Sequence, residues 1–540
     1  MGWTTHEVTN QVPDLVDYNL YAADTVLQEG VVREGAGSAV PDLLAYGEVL
    51  GRADIIALAA AADRNPPRHI PYDRQGRRID SVDFHHGWHH FLQLGVSRGL
   101  AQPASVARAA SFLLHGQVEA GTLCPLTMTS ASQAILRSEP QFGFLGEPLS
   151  SLQYDPRDLP VHEKHGMLVG MGLTEKQGGS DLRQVSTRAR PGGNTPGWFS
   201  LVGHKWFYSV PTADAHLVLA LLDGAPSCFY VPRRLLDGSR NAVHLIQLKD
   251  KLGNRSNASA EVEFRDAQGM LVGEPGRGIS TLVKMAGYTR LDCVLGSTAL
   301  MRAALVQAIH HACHRVAFGR PLFHQPLMRA VLADLALEVE AAVVLGLRLA
   351  RAVAAGPNAS PFEQALARVV TPAAKFWVCK RAVPVVAEAL EVLGGNGYVE
   401  THGLARLYRE TPVNSVWEGS GNVMCLDVLR ALAQHPEQMG VLSEGLRHML
   451  HGDAAALQKL DALQKDVSRA GPELEGRARK VAAELVLLVQ AALLRQYAPQ
   501  TVADAFLEHR LAGGATGVHG TWAESGAVTL ILQRAWREAT

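Results

Sequence analysis

The chain of 540 residues is too long for a single ordinary domain, and its content of 47% hydrophobic and 19% charged residues excludes an intrinsically disordered protein. Its formal net charge of -1 provides no overall attraction to nucleic acid or to an anionic membrane, so either partner would need a local patch. Six scattered cysteines without a CxxC pair favour a reduced, cytoplasmic setting, and the longest apolar runs are too short to cross a membrane.

The spacing of apolar residues changes three times along the chain. From about residue 40 to 135 they recur at helical spacing, which predicts an N-terminal helical domain. Between about 174 and 285, turn residues separate short strand-like runs and predict a small β-barrel or sandwich; the runs are 199–202, 217–222, 227–231, 243–246 and 260–264. From about 290 to 432 long helical segments predict a bundle, and the tail is again mostly helical.

We therefore predict an α+β fold that is mainly α and consists of four domains. The N-terminal helical domain covers 1–173, the β-domain 174–285, the helical bundle 286–434, and an extra C-terminal helical domain 435–540. Since one architecture can support many functions, the candidate functional residues have to be found separately.

A glycine-rich segment at 171–181 joins the first two predicted domains and reads Met-Gly-Leu-Thr-Glu-Lys-Gln-Gly-Gly-Ser-Asp. Its glycines let backbone amides approach a ligand closely, and Thr174 and Ser180 add hydroxyl groups. This combination suits hydrogen bonds to a ring edge and a pyrophosphate. The alternative is an interdomain turn that Ser180 and Asp181 cap.

A predicted strand ends at 203–209 in Gly-His-Lys-Trp-Phe-Tyr-Ser. Its three adjacent aromatic residues cannot all face one core, so one of them could flank a flat cofactor that Ser209 also contacts. The alternative is an ordinary aromatic strand.

The loop at 416–423, Val-Trp-Glu-Gly-Ser-Gly-Asn-Val, carries a carboxylate among small residues between two helical segments. Burial of Glu418 between Trp417 and Gly419 would raise its pKa above about 4.3 and make it a better base near neutrality. The loop could also begin a helix that Ser420 or Asn422 caps, and both interpretations can hold together.

Two further segments suit an anionic ligand. Arg315 could neutralise a phosphate, and Gly394 and Gly395 could admit a pyrophosphate. Because these glycines follow a helix, they are not a Rossmann-type fingerprint, and the alternatives are helix capping and an interhelical salt bridge. The histidines at 85–90 lack an accompanying cysteine or carboxylate cluster, so we expect no metal site.

Taken together, these segments resemble the acyl-CoA dehydrogenase superfamily. Five motifs occur in the order of that family: Thr-Glu-…-Gly-Gly-Ser-Asp, Gly-x-Lys-x-Phe-x-Ser, Arg-x-x-Phe-Gly-x-Pro, Gly-Gly-Asn-Gly-Tyr and Trp-Glu-Gly. The resemblance covers about residues 160 to 432. It implies the acyl-CoA dehydrogenase fold, bound FAD, and Glu418 as the base that takes a proton α to a thioester carbonyl while a β-hydride passes to flavin N5.

The resemblance also implies the FAD contacts. The residues that would line the flavin are Met171, Thr174, Gly178, Gly179 and Ser180, and those that would lie against the isoalloxazine are Phe207, Tyr208 and Ser209. The residues that would hold the adenosine-diphosphate end of an FAD in a neighbouring subunit are Arg315, Phe318, Gly394 and Gly395. The FAD-binding loop around the base would comprise Trp417, Gly419, Ser420 and Asn422. Sharing FAD in this way implies a dimer at least, and the family is commonly a homotetramer, a dimer of dimers.

Within this superfamily the chain is most similar to the AidB branch, the flavoproteins of the adaptive response to DNA alkylation. The similarity lies in the segments 33–37, 65–67, 124–129, 249–257 and 412–415 and in the extra helical tail. It implies binding of double-stranded DNA, limitation of alkylation damage, and a weak or vestigial dehydrogenase activity on an acyl-CoA-like small molecule.

A DNA contact in the tail would depend on the arrangement of its charges, because residues 441–540 hold 11 Lys+Arg and 11 Asp+Glu. The candidate DNA-binding residues are Arg430, Arg469, Arg477, Arg479 and Lys480. The alternative for this patch is a solvated helix face. The alternatives for the whole protein are a metabolic acyl-CoA dehydrogenase without DNA binding and a DNA-shielding protein whose FAD is purely structural.

Overall fold

The protein was analysed as a computed structural model, which describes residues 5–192, 197–468, 472–512, 517–523 and 525–537. The described residues form two compact units. The helical unit draws on 1–56, 293–417 and 424–540, and the mixed unit draws on 57–292 and 418–423. Because the residues before 57 share a core with the bundle and the tail, the units cut across the four predicted domains, whose boundaries stay predictions.

The segment before the main sheet is mostly helical, as predicted. Its helices are α1 (Thr25–Arg33), α2 (Val40–Leu50), α3 (Ala53–Arg64), α4 (His86–Ser97), α5 (Val106–Val118), α6 (Leu123–Leu136) and α7 (Gly146–Ser150). An antiparallel hairpin of β1 (Arg68–Tyr72) and β2 (Arg78–Asp83) interrupts them and was not predicted. Its first strand contains Pro71 and is largely exposed, so it lacks the apolar alternation that marks a strand.

The predicted β-domain is confirmed as a closed, barrel-like sheet. Its strands are β3 (Val169–Gly172), β4 (Arg188–Pro191), β5 (Trp198–Ser209), β6 (Ala215–Leu222), β7 (Ala225–Pro232), β8 (Val243–Leu248) and β9 (Ser259–Val272). Their order is β3-β5-β4-β6-β7-β9-β8, and the further pairings β3–β6 and β5–β9 fold the sheet onto itself. Each of the five predicted runs lies inside one of these strands.

The bundle and the tail follow, with a two-stranded hairpin between the first two helices. The elements are α8 (Gly278–His314), β10 (Val316–Ala317), β11 (Arg320–Pro321), α9 (Pro326–Ala355), α10 (Pro361–Ala365), α11 (Thr371–Val392), α12 (Gly403–Glu410), α13 (Val413–Val416), α14 (Gly421–Gln434), α15 (Glu437–Met449), α16 (Ala454–Ser468), α17 (Pro472–Gly476), α18 (Ala478–Tyr497), α19 (Gln500–Phe506) and α20 (Gly526–Ala535). In length and composition α8 could cross a membrane, but 89% of its apolar window is buried, as in a core helix.

A buried network of charged side chains fastens the tail to α9. Arg510 donates to Asp334 and to Glu338, two carboxylates that project one turn apart from α9. Arg381 on α11 donates to Glu338 at 3.1 Å and to Nε2 of His519 at 2.9 Å, and the Gly520 N–H donates to Asp334 at 2.8 Å. Each buried charge therefore has an oppositely charged partner, which offsets the cost of removing it from water.

A second buried ion pair lies inside the barrel, between Glu175 and Lys205. Their side chains are 1% and 0% exposed, and Lys205 Nζ lies 2.6 Å from Glu175 Oε1. Glu175 also accepts hydrogen bonds from the backbone and hydroxyl groups of Ser186 and Thr187, and Lys205 also donates to the Leu219 carbonyl. Although burial pushes the pKa of Glu175 upward, Lys205 and these donors hold it well below its usual range.

Acidification should loosen the tail at His519. Because a guanidinium only donates, His519 Nε2 must accept from Arg381, and burial together with Arg381 and Arg510 holds the pKa of His519 below its ordinary 6.5 against the opposing Asp334 and Glu338. The unfolded histidine takes up a proton first, so its contribution to stability is full above about pH 6.5 and is lost as the pH falls below that value. We expect the protection of amides in 517–523 against hydrogen exchange to fall between about pH 7.5 and about pH 5.5, after correction for the intrinsic exchange rate.

The matched control for this experiment is His519→Gln. A glutamine side chain offers Arg381 an acceptor oxygen and does not titrate, so protection of 517–523 should become independent of pH. A pH response of the same size in His519→Gln would assign the effect to another group.

Removing the charge of Lys205 should destabilise the barrel strongly. Lys205→Met leaves Glu175 buried without its cation, which we expect to lower the free energy of unfolding by about 3–5 kcal/mol, measured by urea denaturation. As a control, Lys249→Met removes another Lys–Glu pair of 2.6 Å whose side chains are 15% and 9% exposed, and we expect a loss of about 1 kcal/mol. Equal losses in the two variants would contradict a special role for the buried pair.

Candidate active site

Glu418 lies in a short loop between α13 and α14 with an unusual backbone conformation. Its φ is +57°, a left-handed value that costs a residue with a side chain about 1–2 kcal/mol, and Gly419 follows with φ of +100°. The Glu418 side chain is half-buried. Non-glycine residues in this region cluster at functional sites, where the surrounding structure compensates for the strain.

The residue before Glu418 is held by a side chain that the sequence did not indicate. Lys375 on α11 is fully buried, and its Nζ donates to the Trp417 carbonyl at 2.8 Å. The Trp417 indole donates to Asn414 at 2.9 Å, which fixes the orientation of the ring. Because Lys375 and Trp417 are 42 residues apart in the chain, no local pattern could have predicted this contact.

On the mixed unit, Glu418 lies within electrostatic reach of Cys124, near the start of α6. The Ser209 and Asn257 side chains lie close to the Cys124 sulfur and help to stabilise its charged form, and Lys251 is a second charged neighbour. Burial raises the pKa of Cys124 to about 12, with a further contribution from Glu418 and against that of Lys251, so the thiol stays neutral. The sequence singled out Cys124, Lys251 and Asn257 only as parts of two motifs, 124–129 and 249–257, and it did not indicate that the two motifs meet at Cys124.

The glycine-rich segment forms a tight turn directly after β3. Glu175 and Gly178 exchange backbone hydrogen bonds of 3.1 Å, and a Cβ on Gly179 would lie 2.6 Å from Thr174 Oγ1, so only glycine fits there. Gly178 and Ser180 are exposed, Thr174 is half-buried, and Met171 is buried in β3. The turn therefore presents Thr174 and Ser180 hydroxyls and backbone amides at a surface, as a bound cofactor requires. The alternative capping role is also present, because Asp181 accepts from the Arg183 N–H.

The turn lies beside the end of β5, because the Trp206 N–H donates to the Thr174 carbonyl at 2.8 Å and Gly172 pairs with Tyr208. On the outer face of β5, Phe207 is 48% exposed and Ser209 is half-buried. Val210 follows with φ of +52°, a strained value for a β-branched residue. Strained residues thus occur both beside Ser209 and at Glu418.

The predicted contact of Tyr208 with the isoalloxazine needs correction. Its side chain is 2% exposed and points into the barrel, where its ring stacks on His216 with 3.7 Å between centroids. A register shift between Lys205 and Tyr208 in the pairing of β5 with β9 sets this orientation. Phe207 and Ser209 stay predicted flavin contacts, whereas the Tyr208 ring supports them from behind.

In the helical unit, the hairpin β10–β11 carries the predicted adenosine-diphosphate contacts. Phe318 at its tip has φ of +52° and is 97% exposed, and Gly319 follows with φ of +81°, which makes the tip a turn with two left-handed residues. Arg315, at the base of the hairpin, is half-buried and forms no ion pair among the described residues. The alternative role of Arg315, an interhelical salt bridge, therefore has no acidic partner in this part of the chain.

Gly394 and Gly395 follow the end of α11 at an exposed surface. Gly394 has φ of +61°, and a Cβ on either glycine would meet no atom within 4 Å. The alternative of helix capping is therefore realised at Gly394, while the open space above both glycines leaves room for a ligand. Ser420 lies in the loop between Gly419 and α14, and Asn422 lies in the first turn of α14.

Some of the candidate DNA-binding residues are paired with carboxylates, and others are not. Arg477 and Lys480 share Asp466 at 3.2 and 3.7 Å, and Arg430 lies 3.4 Å from Asp427. Arg479 is exposed, and its guanidinium lies 5.3 Å from the Phe376 ring centroid. Arg469 lies outside the described residues. The predicted patch is therefore partly neutralised, and Arg479 is its most available member.

Two further cations, Lys380 and Arg368, extend this surface. Both Arg479 and Lys380 lie within electrostatic reach of Cys425 on α14, so the two cations flank the same helix. Arg368 lies 3.1 Å from Asp427, the carboxylate that Arg430 also contacts. We define the basic face as Arg368, Lys380, Arg430 and Arg479, with Asp427 as an acidic residue inside it.

The chain matches known protein families over most of its length. Residues 10–156 match the family described as Adaptive response protein AidB N-terminal domain, 170–267 match the acyl-CoA dehydrogenase middle domain, and 276–433 match the acyl-CoA dehydrogenase C-terminal domain. The chain is 49% identical to AidB of Escherichia coli (strain K12) over 94% of this chain and 95% of that protein.

Two further relatives agree with these matches. Acyl-CoA dehydrogenase family member 11 of Caenorhabditis elegans is 28% identical over 80% of this chain and 73% of that protein. The solved structure of Bd2924 in its apo form superposes with a TM-score of 0.81 at 28% identity and covers 91% of this chain and 100% of that chain.

Proposed function

Because the chain belongs to the AidB branch of the acyl-CoA dehydrogenase family, and is an FAD-dependent, acyl-CoA dehydrogenase-like oxidoreductase, we propose that it oxidises an acyl-CoA thioester with Glu418 as the base. The left-handed backbone of Glu418 is the observation that carries this proposal. Glycine would adopt this backbone without strain, so a glutamate here indicates that its side chain has a functional role. The name of the Caenorhabditis elegans relative supports an acyl-CoA as the substrate class.

In the proposed reaction the substrate loses two hydrogens and gains a carbon–carbon double bond. Bound FAD supplies the acceptor for the β-hydride. Glu418 takes the proton from the carbon α to the thioester carbonyl and becomes a neutral carboxylic acid. The neighbouring Cys124 stays a neutral thiol, so it adds no negative charge that would compete with Glu418 for this proton.

The surface at the end of β5 and the turn beside it suits a flat cofactor. The exposed Phe207 ring offers an apolar surface, and Ser209 and Thr174 offer hydroxyl groups beside it. The exposed backbone at Ser180 offers an amide that suits the pyrophosphate, whereas the Gly178 amide already donates to the Glu175 carbonyl. We propose that Arg315, Phe318, Gly394 and Gly395 of a second copy of the chain hold the adenosine-diphosphate end. This sharing makes the protein a dimer at least, and by its resemblance to the family we propose a dimer of dimers.

We also propose that the protein binds double-stranded DNA through the basic face and limits alkylation damage. Residues 10–156 match a domain family that is named after an adaptive response protein, and this match supports the proposed role. Arg479 and Lys380 supply positive charge beside α14, and neither forms an ion pair within the described part of the chain. The neutralisation of Arg477 and Lys480 by Asp466 favours the alternative, a metabolic dehydrogenase without DNA binding.

A cytoplasmic location is part of the same proposal. All six cysteines lie in the described part of the chain and are thiols. Thiols of this number in one chain are typical of a reducing compartment.

Replacing Glu418 tests its proposed role as the base. Glu418→Gln keeps the size and polarity of the side chain but removes its basic oxygen, so we expect flavin reduction by straight-chain acyl-CoA thioesters to slow by about 10²–10⁴-fold in stopped-flow absorbance. Glu437→Gln, an exposed carboxylate at the start of α15, is the control and should reduce at the wild-type rate. Equal rates in Glu418→Gln and wild type would exclude Glu418 as the base.

Reversing the charge of Arg479 tests the proposed binding of DNA. Arg479→Glu should weaken binding to duplex DNA by about tenfold at low salt and reduce the slope of log K against log salt by about one, measured by fluorescence anisotropy. Lys459→Glu, an exposed lysine on α16 outside the basic face, changes the net charge by the same amount and should have a smaller effect. Equal weakening would assign binding to net charge alone, and no binding of the wild type at low salt would leave the metabolic alternative.

A further inference from the structure

Asn10 bonds the hairpin β10–β11 through both ends of its carboxamide. Its Nδ2 donates to the Val316 carbonyl at 2.8 Å, and the Val316 N–H donates to its Oδ1 at 2.9 Å. One side chain thus pairs with both backbone groups of Val316, as a neighbouring strand would. A second bond, between the His310 ring and the Pro13 carbonyl at 2.9 Å, holds the same N-terminal segment against the end of α8.

The hairpin needs a partner on its outer edge because it is short. Its pairing consists of Val316 with Pro321 and Ala317 with Arg320. Both backbone groups of Val316 bond to Asn10, so they face away from the strand that carries Pro321. A two-stranded hairpin of this size is at best marginally stable alone, and the Asn10 carboxamide supplies a donor and an acceptor at this open edge.

The backbone of Asn10 orients Arg315 as well. Arg315 Nη1 donates to the Asn10 carbonyl, and among the described residues this is the hydrogen bond that its guanidinium makes. Its remaining N–H groups are left for a ligand. Asn10 has φ of +55°, a value that asparagine tolerates better than most residues, and this conformation lets its side chain and its carbonyl reach the hairpin together.

The charges around Arg315 favour an anionic ligand. Burial, and then Arg315, His402 and His310, lower the pKa of His311 to about 4, and no carboxylate contributes to this shift. His402, His310 and Arg315 are thus all close to His311, and Arg315 forms no ion pair with a carboxylate among the described residues. At the tip of the same hairpin, the Phe318 ring is 97% exposed and makes a flat apolar surface available to a ring system.

We propose that Asn10 is the positioning residue of the diphosphate site: its carboxamide holds the hairpin in place, and its carbonyl aims Arg315 so that the remaining N–H groups meet the diphosphate of FAD. This inference rests on the proposed role of Arg315. It assigns to the N-terminal segment a part in cofactor binding, because the segment pre-organises a side chain that would otherwise lose conformational entropy on binding the anion.

The test compares two variants that both tolerate a positive φ. Asn10→Gly removes the carboxamide without backbone strain, and Asn10→Asp keeps an acceptor for the Val316 N–H but turns an oxygen toward the Val316 carbonyl. Gln11→Ala is the control, because Gln11 is exposed and, within the described residues, its side chain donates a hydrogen bond to the nearby Thr9 carbonyl and none to the hairpin. The readouts are the dissociation constant of FAD, from fluorescence titration of the apoprotein, and the hydrogen exchange of the peptide 315–322.

We expect both Asn10 variants to bind FAD about tenfold more weakly and to exchange faster at 315–322, whereas Gln11→Ala behaves like the wild type. Faster exchange with unchanged FAD affinity would overturn the positioning role, as would unchanged exchange. Arg315→Ala separates this inference from its premise. If Arg315→Ala leaves FAD affinity unchanged, the diphosphate assignment fails; if Arg315→Ala weakens binding and Asn10→Gly does not, only the role of Asn10 fails.

Discussion

Inside the barrel, the contact between Glu175 and Lys205 joins segments that lie far apart in the chain. Glu175 follows β3, Lys205 lies within β5, and their further partners Thr187 and Leu219 precede β4 and lie in β6. With every polar atom of the pair hydrogen-bonded, the attraction between the charges compensates for their removal from water. The glycine-rich turn and the outer face of β5 keep their relative positions because this pair holds the strands beneath them.

The candidate site combines this rigid support with local strain. Glu418 and Val210 both have left-handed backbones, and long-range hydrogen bonds hold the backbone at each position. Lys375 donates to the carbonyl of Trp417, the residue before Glu418, and the Val210 N–H donates to the Ala258 carbonyl. A buried scaffold can maintain such conformations at a cost of about 1–3 kcal/mol each, and the benefit is a fixed direction for the side chains that meet a ligand.

Periodicity and turn residues predicted the broad fold because they report local preferences. The five strand-like runs alternate or are fully apolar, and each proved to be part of a strand of the barrel. The hairpin β1–β2 was missed because Pro71 and its exposed positions hide the alternation, and the ring of Tyr208 was placed on the wrong face because a register shift in β5 is invisible in a sequence.

The candidate site was predictable where motifs mark it and not where distant residues complete it. Motifs singled out the loop around Glu418 and the glycine-rich turn, and the roles of both toward a cofactor stay predictions. Lys375, Lys251 and Asn10 were not foreseen, since each acts through a contact with a segment remote in the chain. The charge pattern of the tail suggested a patch, but the pairing of Arg477 and Lys480 with Asp466 depends on packing that the sequence does not show.

The left-handed backbone at Glu418 places two requirements on one position. Glycine or asparagine there would relax the loop by about 1 kcal/mol, so either would make the folded chain more stable while removing the carboxylate. Variants chosen for heat resistance alone should therefore accumulate substitutions at this position, and those chosen for turnover should retain glutamate. The frequency of glutamate at 418 in the two populations would measure how far chemistry, rather than folding, has determined this residue.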